Sequence, residues 1–281
     1  MLVNFNEMLK QARKNDYAVP HFNINNLEWT RFILEKCESL KIPVILGVSP
    51  STAKYMGGWS VCYNLVTSLL KELTIKIPVC LHVDHGTEED CIMAIESGFT
   101  SVMIDASKYS LDKNIEITKR VTEYAHKNNV SVEAEIGYIS TNTKNEIEYA
   151  SVENCKKLYE ATKIDALAPA IGNIHGIYLS KPKLDFNLLS AINRSLNIPL
   201  VLHGGSGLTE SDFKSCIKNG IAKININTDL QLSWYKGITD FIAKNPDIYD
   251  PRKIISSGKQ QFNDKIEELV SIFETKKVAD L

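Results

Sequence analysis

Hydrophobic and polar positions along the chain follow two alternating periods. Short apolar, β-branched runs occur at Tyr17 to Phe22, Pro43 to Val48, Pro78 to Val83, Ser101 to Ile104, Val130 to Ile136, Ile164 to Pro169, Pro199 to Leu202 and Ala222 to Ile226. Each reads as a buried strand. Between them lie segments with helical spacing, such as Leu27, Phe32, Ile33 and Cys37, and then Ile115, Val121, Tyr124 and Ala125. Helix starts carry side chains that can accept first-turn amides: Thr87 before Glu88 and Glu89, Thr209 before Glu210 and Asp212, and Ser151 three residues ahead of Asn154. Gly98 and Gly220 mark helix ends, each leading into the next strand. Eight strands alternating with helices fit a closed (β/α)₈ barrel or an open doubly wound sheet. No G-x-G-x-x-G follows the first strand, and eight units match the barrel. The expected fold is therefore a TIM-type (β/α)₈ barrel forming one domain over residues 1–281.

Two segments break this rhythm. "GYISTNTKNEIEYA" at 137–150 and "GIYLSKPKLDF" at 176–186 are long loops after strands, and such loops in a barrel are expected to be functional lids. From about Leu230 the chain reads as a helical extension to about Phe273. It is interrupted in "NPDIYDPRK", where Pro246 and Pro251 are expected to stop helices. No second domain, low-complexity tract or charge block stands out.

Composition narrows the class. The 281 residues are 44% hydrophobic and 23% charged, as in a soluble enzyme-sized protein. No apolar run approaches the roughly 20 residues of a membrane helix. Met1 opens no basic and apolar leader, so no membrane partner and a cytoplasmic location are expected. A net charge of −2 offers no global attraction to nucleic acid, and any phosphate binding must be local. The six cysteines form no C-x-x-C pair and are expected to be buried free thiols.

Catalytic groups in such a barrel come from the C-terminal ends of strands. The polar residues there are Asn23, Ser49, Asp84 with His85, Asp105, Glu135, His175, His203 and Asn225. His85, His175 and His203 are each followed by glycine. Alone, any one of them would read as a satisfied loop histidine. Together, three imidazoles with an open fourth position suit a catalytic divalent metal, zinc first. His126 lies near a helix C-terminus, where it suits exposed carbonyls. His21 and His82 lie inside strands and read as supporting or core groups. Asp105 and Glu135 would either bind a second, weaker metal or orient a ligand imidazole.

A second constellation lies in "LHGGSGLTESDF" at 202–213, where Gly204, Gly205, Ser206 and Gly207 join a strand to a capped helix. The backbone amides of such a turn form an anion nest. "NINTD" at 225–229 adds Asn225 and Thr228 at another helix start. Barrels commonly hold phosphate in the loops after strands seven and eight. A divalent ion can polarise a carbonyl while Asp84, not itself a ligand, moves a proton. Aldol chemistry on a sugar phosphate, metal-assisted hydrolysis and isomerisation all fit these parts.

The segments "YAVPHFNINNLE", "PVILGVS", "HVDHG", "GFTSVMIDAS", "VEAEIG", "LAPAIGNIHGIY", "PLVLHGGSG" and "KININTD" span nearly the whole chain, in order. The sequence resembles the class II, metal-dependent fructose-bisphosphate and tagatose-bisphosphate aldolases. The resemblance implies zinc on His85, His175 and His203, with Asp84 exchanging a proton with the C4 hydroxyl during carbon–carbon cleavage. It implies that Asn23 and Asn225 contact substrate oxygens, that Gly176, Gly204, Ser206 and Thr228 hold the ketose C1 phosphate, and that carbonyls near the two glycines bind a monovalent cation, Na⁺ or K⁺. Arg252 matches an arginine that reaches the far phosphate from a neighbouring subunit, and Ser49 a serine near a substrate phosphate; a homodimer or homotetramer is implied. Asn227 sits where fructose-type members often carry Asp and tagatose-type members often carry Ala. The chain departs from the family in the two lids. Ser140 and Thr141 replace a glycine pair, and Thr143 stands at an acidic position for which Glu146 is the candidate substitute. Leu179 stands where a lysine is common, with Lys181 the nearest cation. The expected activity is cleavage of a ketose 1,6-bisphosphate, fructose favoured. Another ketose phosphate, or a weakly catalytic sugar-phosphate-binding role, is the alternative.

Overall fold

A computed structural model describes residues 2–139, 148–176 and 183–278. Its eight strands are β1 (Val19–Asn23), β2 (Val44–Val48), β3 (Val79–Gly86), β4 (Ser101–Ile104), β5 (Ser131–Ile136), β6 (Ala166–Pro169), β7 (Leu200–Leu202) and β8 (Ile221–Ile226). Each pairs in parallel with its neighbour, and β8 pairs with β1, so the sheet closes into the expected barrel. Every residue of β1, β2 and β4 to β8 is buried. Burial on both faces is why these strands are legible as apolar runs rather than as alternating patterns.

Helices α1 (Asn6–Lys14), α2 (Leu27–Leu40), α3 (Pro50–Met56), α4 (Trp59–Glu72), α5 (Glu88–Ser97), α6 (Leu111–Lys127), α7 (Val152–Thr162), α8 (Phe186–Ser195), α9 (Glu210–Lys218), α10 (Thr228–Lys244), α11 (Pro251–Ser256) and α12 (Lys259–Ile272) accompany the sheet. Thr87 and Thr209 close reciprocal capping boxes with Asp90 and Asp212, and Ser151 caps α7. Each such cap contributes about 1 kcal/mol. Gly98 ends α5 in the left-handed region at φ 106°, and Gly220 leads into β8 at φ 101°.

Three details differ from the sequence reading. Pro251 begins a helix instead of stopping one: it occupies the first turn of α11, where no amide partner is needed, and Asp250 accepts the Arg252 amide. Leu27 is 48% exposed despite its place on the apolar face of α2. The third is α1, which precedes the barrel. With Phe5 before it, α1 packs Met8, Leu9 and Ala12 against Val19, Ile45, Cys80, Ala166, Ala168, Val201 and Ala222. This apolar layer closes the N-terminal end of the barrel.

Towards the other end the barrel interior turns polar. Side chains two apart on a strand share a face, so β1 carries Val19, His21 and Asn23 and β3 carries Cys80, His82 and Asp84 from the plugged end to the mouth. His21, His82, Glu133 and Lys223 are fully buried in the middle of this series. All six cysteines are buried and free. Among the described residues no helix is long and apolar enough to cross a membrane.

Candidate active site at the C-terminal mouth of the barrel

Consecutive residues in a regular strand point to opposite faces, yet Asp84 and His85 both line one cavity. The register of β3 against β4 shifts between Val83 and Gly86, and His85 takes φ 56°. Left-handed backbone costs a histidine on the order of 1 kcal/mol, and such strain persists where the surroundings over-determine it. The irregularity turns both side chains into the mouth. A Cβ on Gly86 would lie 2.7 Å from Val83 Cγ1, which explains the glycine after His85. His85 Nδ1 lies 2.8 Å from Asp105 Oδ2, and Asp105 Oδ1 accepts from the Ser107 amide and hydroxyl. Asp105 thus fixes the ring and leaves Nε2 facing the cavity.

His203 stands just past β7. Its Nδ1 lies 2.9 Å from His85 Nε2. On the far side of the ring, Nε2 donates to Glu133 Oε1 at 2.7 Å, and Lys223 Nζ donates to Glu133 Oε2 at 2.8 Å. All three of these side chains are fully buried. Burial would raise the Glu133 carboxyl, but the Lys223 charge and the His203 bond hold it well below the usual range. The ionised Glu133 keeps the His203 proton on Nε2, so the Nδ1 lone pair is the one presented to the mouth.

His175 lies in the loop after β6, its ring 4.8 Å from that of His85 and 5.8 Å from that of His203. Burial and the neighbouring imidazoles lower it to about 3, so it is neutral at pH 7. Two features bring this loop against β7. A Cβ on Gly204 would lie 1.9 Å from the Ile174 carbonyl oxygen, so only glycine admits the approach. Asn173, 1% exposed, donates from Nδ2 to the His203 carbonyl and accepts from the Ile171 amide. Asn173 escaped the sequence reading; its only signal was an asparagine two residues before His175 in a segment that otherwise reads as strand and turn.

One donor atom each from His85, Glu135, His175 and His203 falls within 4.8 Å of the others, and no other His, Cys, Asp or Glu group of this kind occurs among the described residues. Glu135 Oε2 is buried without a hydrogen-bond partner and lies 3.7 Å from His203 Nδ1. A buried, unpartnered carboxylate oxygen beside three convergent imidazoles is a costly arrangement that a divalent cation satisfies, and this nitrogen-rich donor set fits one. The oxygens of Asp105 are engaged by His85 and Ser107, the geometry of a carboxylate that orients an imidazole. Glu135, and not Asp105, converges with the three histidines.

Proton linkage at this centre gives a testable sign. Burial and the Asp105 charge push Glu135 up to about 8. Burial alone would lower His85, but the Asp105 bond and the Asp84 and Glu135 charges raise it to about 10. Without metal, both groups are protonated at pH 7, and a cation must displace both protons. Metal affinity should therefore rise steeply with pH up to about 8, less steeply to about 10, and then level. Calorimetry in buffers of different ionisation enthalpy is expected to find close to two protons released per ion at pH 7. Binding without proton release would contradict the assignment.

Asp84 stays out of the donor group. Its Oδ2 accepts from Asn23 Nδ2 at 2.8 Å and its Oδ1 from Asn225 Nδ2 at 3.3 Å, while His85 Nε2 is 4.0 Å from Oδ1. Burial would raise its carboxyl, but the surrounding imidazoles and the Asn23 bond hold it well below the usual range. At neutral pH it is a fixed, ionised carboxylate. Asn23, Asp84, His85, His175, Gly176, Gly204, Ser206, Asn225, Asn227 and Thr228 line a cavity of about 130 Å³. Gly204 and Gly207 take φ 62° and 84°, and the Gly205 amide donates to the Asn225 carbonyl at 3.2 Å, joining the loops after β7 and β8.

Two of the substrate-binding candidates lie apart from this lining. Ser49 caps α3, accepting from the Thr52 amide. Arg252 on α11 has a side chain 88% exposed and paired with Asp250 at 2.9 Å. Ser140, Thr141, Thr143, Glu146, Leu179 and Lys181 fall outside the described residues.

Comparison with known proteins agrees with this geometry. The profile of the family described as fructose-bisphosphate aldolase class-II matches residues 3–277. The fructose-bisphosphate aldolase of Geobacillus stearothermophilus is 46% identical over 263 residues, 92% of each chain. That of Staphylococcus aureus strain Mu50 is 43% identical over 279 residues, 98% of each chain. Among solved structures, the YdjI aldolase of Escherichia coli K12 superposes with a TM-score of 0.87 at 30% identity, covering 98% of each chain.

Proposed function

Since this chain belongs to the class II fructose-bisphosphate aldolase family, whose members cleave the sugar bisphosphate reversibly with a divalent metal, we propose that His85, His175 and His203 hold that metal as zinc and that Asp84 carries the proton of the cleavage. The observation that carries this reading is the pairing of His85 Nε2 and His203 Nδ1, 2.9 Å apart, with an ionised carboxylate held beside them by two asparagine amides. Three imidazoles favour zinc over the oxygen-seeking cations, and Glu135 would offer it an oxygen donor beside them. When bound, the ion supplies Lewis-acid polarisation of the ketose carbonyl.

The chain's own residues do the rest. Asp84 takes the proton of the C4 hydroxyl as the C3–C4 bond breaks, and the bond electrons pass to the ketone half. In the condensation direction the same carboxyl returns that proton. Asn23 and Asn225 hold Asp84 in place and offer amides to substrate oxygens. Amides and hydroxyls of Gly176, Gly204, Ser206 and Thr228 hold the C1 phosphate, with Asn227 beside them at the start of α10 and a sodium or potassium ion on nearby carbonyls. The C3 proton is assigned to Glu146. Ser49 and an Arg252 supplied by a second copy of the chain take the far phosphate, so the active form is a homodimer or larger homo-oligomer.

Steady-state kinetics of one zinc-loaded preparation on fructose 1,6-bisphosphate, tagatose 1,6-bisphosphate and fructose 1-phosphate test this reading. Fructose 1,6-bisphosphate is expected to give the highest kcat/KM. Loss of the far phosphate should cost more than tenfold, because charge-assisted contacts to it contribute more than about 1.4 kcal/mol. Equal efficiency on fructose 1-phosphate would contradict the far-phosphate assignment, and cleavage of none of the three would contradict the enzymatic reading.

A further inference from the structure

The loops after β7 and β8 are also joined by one residue that does not line the cavity. Asp229, in the first turn of α10, donates its backbone amide to Ser206 Oγ at 3.2 Å and accepts the Gly207 amide on Oδ2 at 3.2 Å. The two bonds tie α10 to the glycine-rich turn from opposite directions. A first-turn acidic residue ordinarily serves its own helix; here the carboxylate reaches across to the other loop. The Asn227 N-cap makes no side-chain capping bond, so the cross-link supplies a polar tether that the cap does not. Ser206 is 5% exposed and lines the cavity. With its oxygen accepting from Asp229, its hydroxyl proton is left to point at a cavity anion. The same carboxylate also places a negative charge beside the cradle, and among the described residues no cation lies within ion-pairing distance of it.

We propose that Asp229 is a positioning residue with two opposed effects: its bonds to Ser206 and Gly207 hold the phosphate cradle in shape, and its charge weakens the cradle's grip on a phosphate dianion so that product leaves. This rests on the reading of that turn as the C1 phosphate site. The two effects separate by substitution. Asp229→Asn keeps an acceptor for Gly207 and removes the charge, whereas Asp229→Ala removes both.

The test is calorimetric binding of inorganic phosphate to the zinc-loaded enzyme and both variants, at low and high salt, with competition by dihydroxyacetone phosphate. Asp229→Asn is expected to bind phosphate about fivefold tighter than wild type at low salt, with the gap narrowing as salt rises. Asp229→Ala is expected to bind about tenfold more weakly than Asp229→Asn at any salt, the size of the one lost hydrogen bond from Gly207, the backbone bond to Ser206 being kept. In turnover, Asp229→Asn should lower KM and kcat together, as slower product release requires. An Asn variant no tighter than wild type, or an Ala variant equal to Asn, overturns the proposal while leaving the phosphate site intact. A wild-type enzyme whose bound phosphate is not displaced by dihydroxyacetone phosphate overturns the cradle reading and this proposal with it.

Discussion

Asp84→Ala is expected to lower kcat for fructose 1,6-bisphosphate cleavage by about 10³-fold while metal content stays at that of the parent protein, the scale set by losing a positioned proton carrier. The carboxylate meets three requirements of that role. It is ionised at neutral pH, because the neighbouring imidazoles and the Asn23 bond hold it low. It is immobilised by Asn23 and Asn225, and it lies outside the group of donor atoms that converge for a metal. Metal analysis beside steady-state kinetics separates this from a ligand role. A variant that loses its ion together with its activity would make Asp84 a structural part of the metal centre. Asp84→Asn sharpens the result, since it keeps an acceptor for Asn23 and still cannot take a proton.

Stripping the metal is expected to remove activity by at least 10³-fold and to lower the melting temperature by roughly 10 °C. The stability effect follows from linkage: an ion present at 1,000 times its dissociation constant stabilises the folded state by about 4 kcal/mol, and each kcal/mol moves Tm by about 2–4 °C in a chain of this size. The structure says where the loss falls. It falls on the converging donors of His85, Glu135, His175 and His203, which come from β3, β5, the loop after β6 and the end of β7 and which an ion would tie together. Melting curves with chelator, and after zinc is returned, check this; curves unchanged by either treatment would place no structural ion at the mouth.

Much of this was legible in the sequence because the barrel makes it so. Strands buried on both faces show as apolar runs, and strand ends are where chemistry collects, so Asp84, His85, His175, His203 and the 204–207 turn stood out. The rest was hidden for physical reasons. Nothing in "HVDHG" reveals that a register shift and a left-handed His85 turn two consecutive side chains to one mouth. Glu133 and Lys223 lie inside strands and not at their ends, so nothing singled them out, yet they pair inside the barrel and fix the His203 tautomer. Asn173 acts through a carbonyl 30 residues away in the chain, a contact only the closed sheet creates. The α1 plug depends on the barrel having an open end to fill. Pro251 misled because the same ring that breaks a helix interior suits a helix start.

The most direct test titrates the metal-stripped protein with zinc while bound metal and fructose 1,6-bisphosphate cleavage are measured on the same samples. The account predicts activity rising linearly with bound zinc to one equivalent per chain and dihydroxyacetone phosphate appearing in step with glyceraldehyde 3-phosphate. Cleavage by the fully stripped protein, or zinc bound without any gain in cleavage, would contradict it.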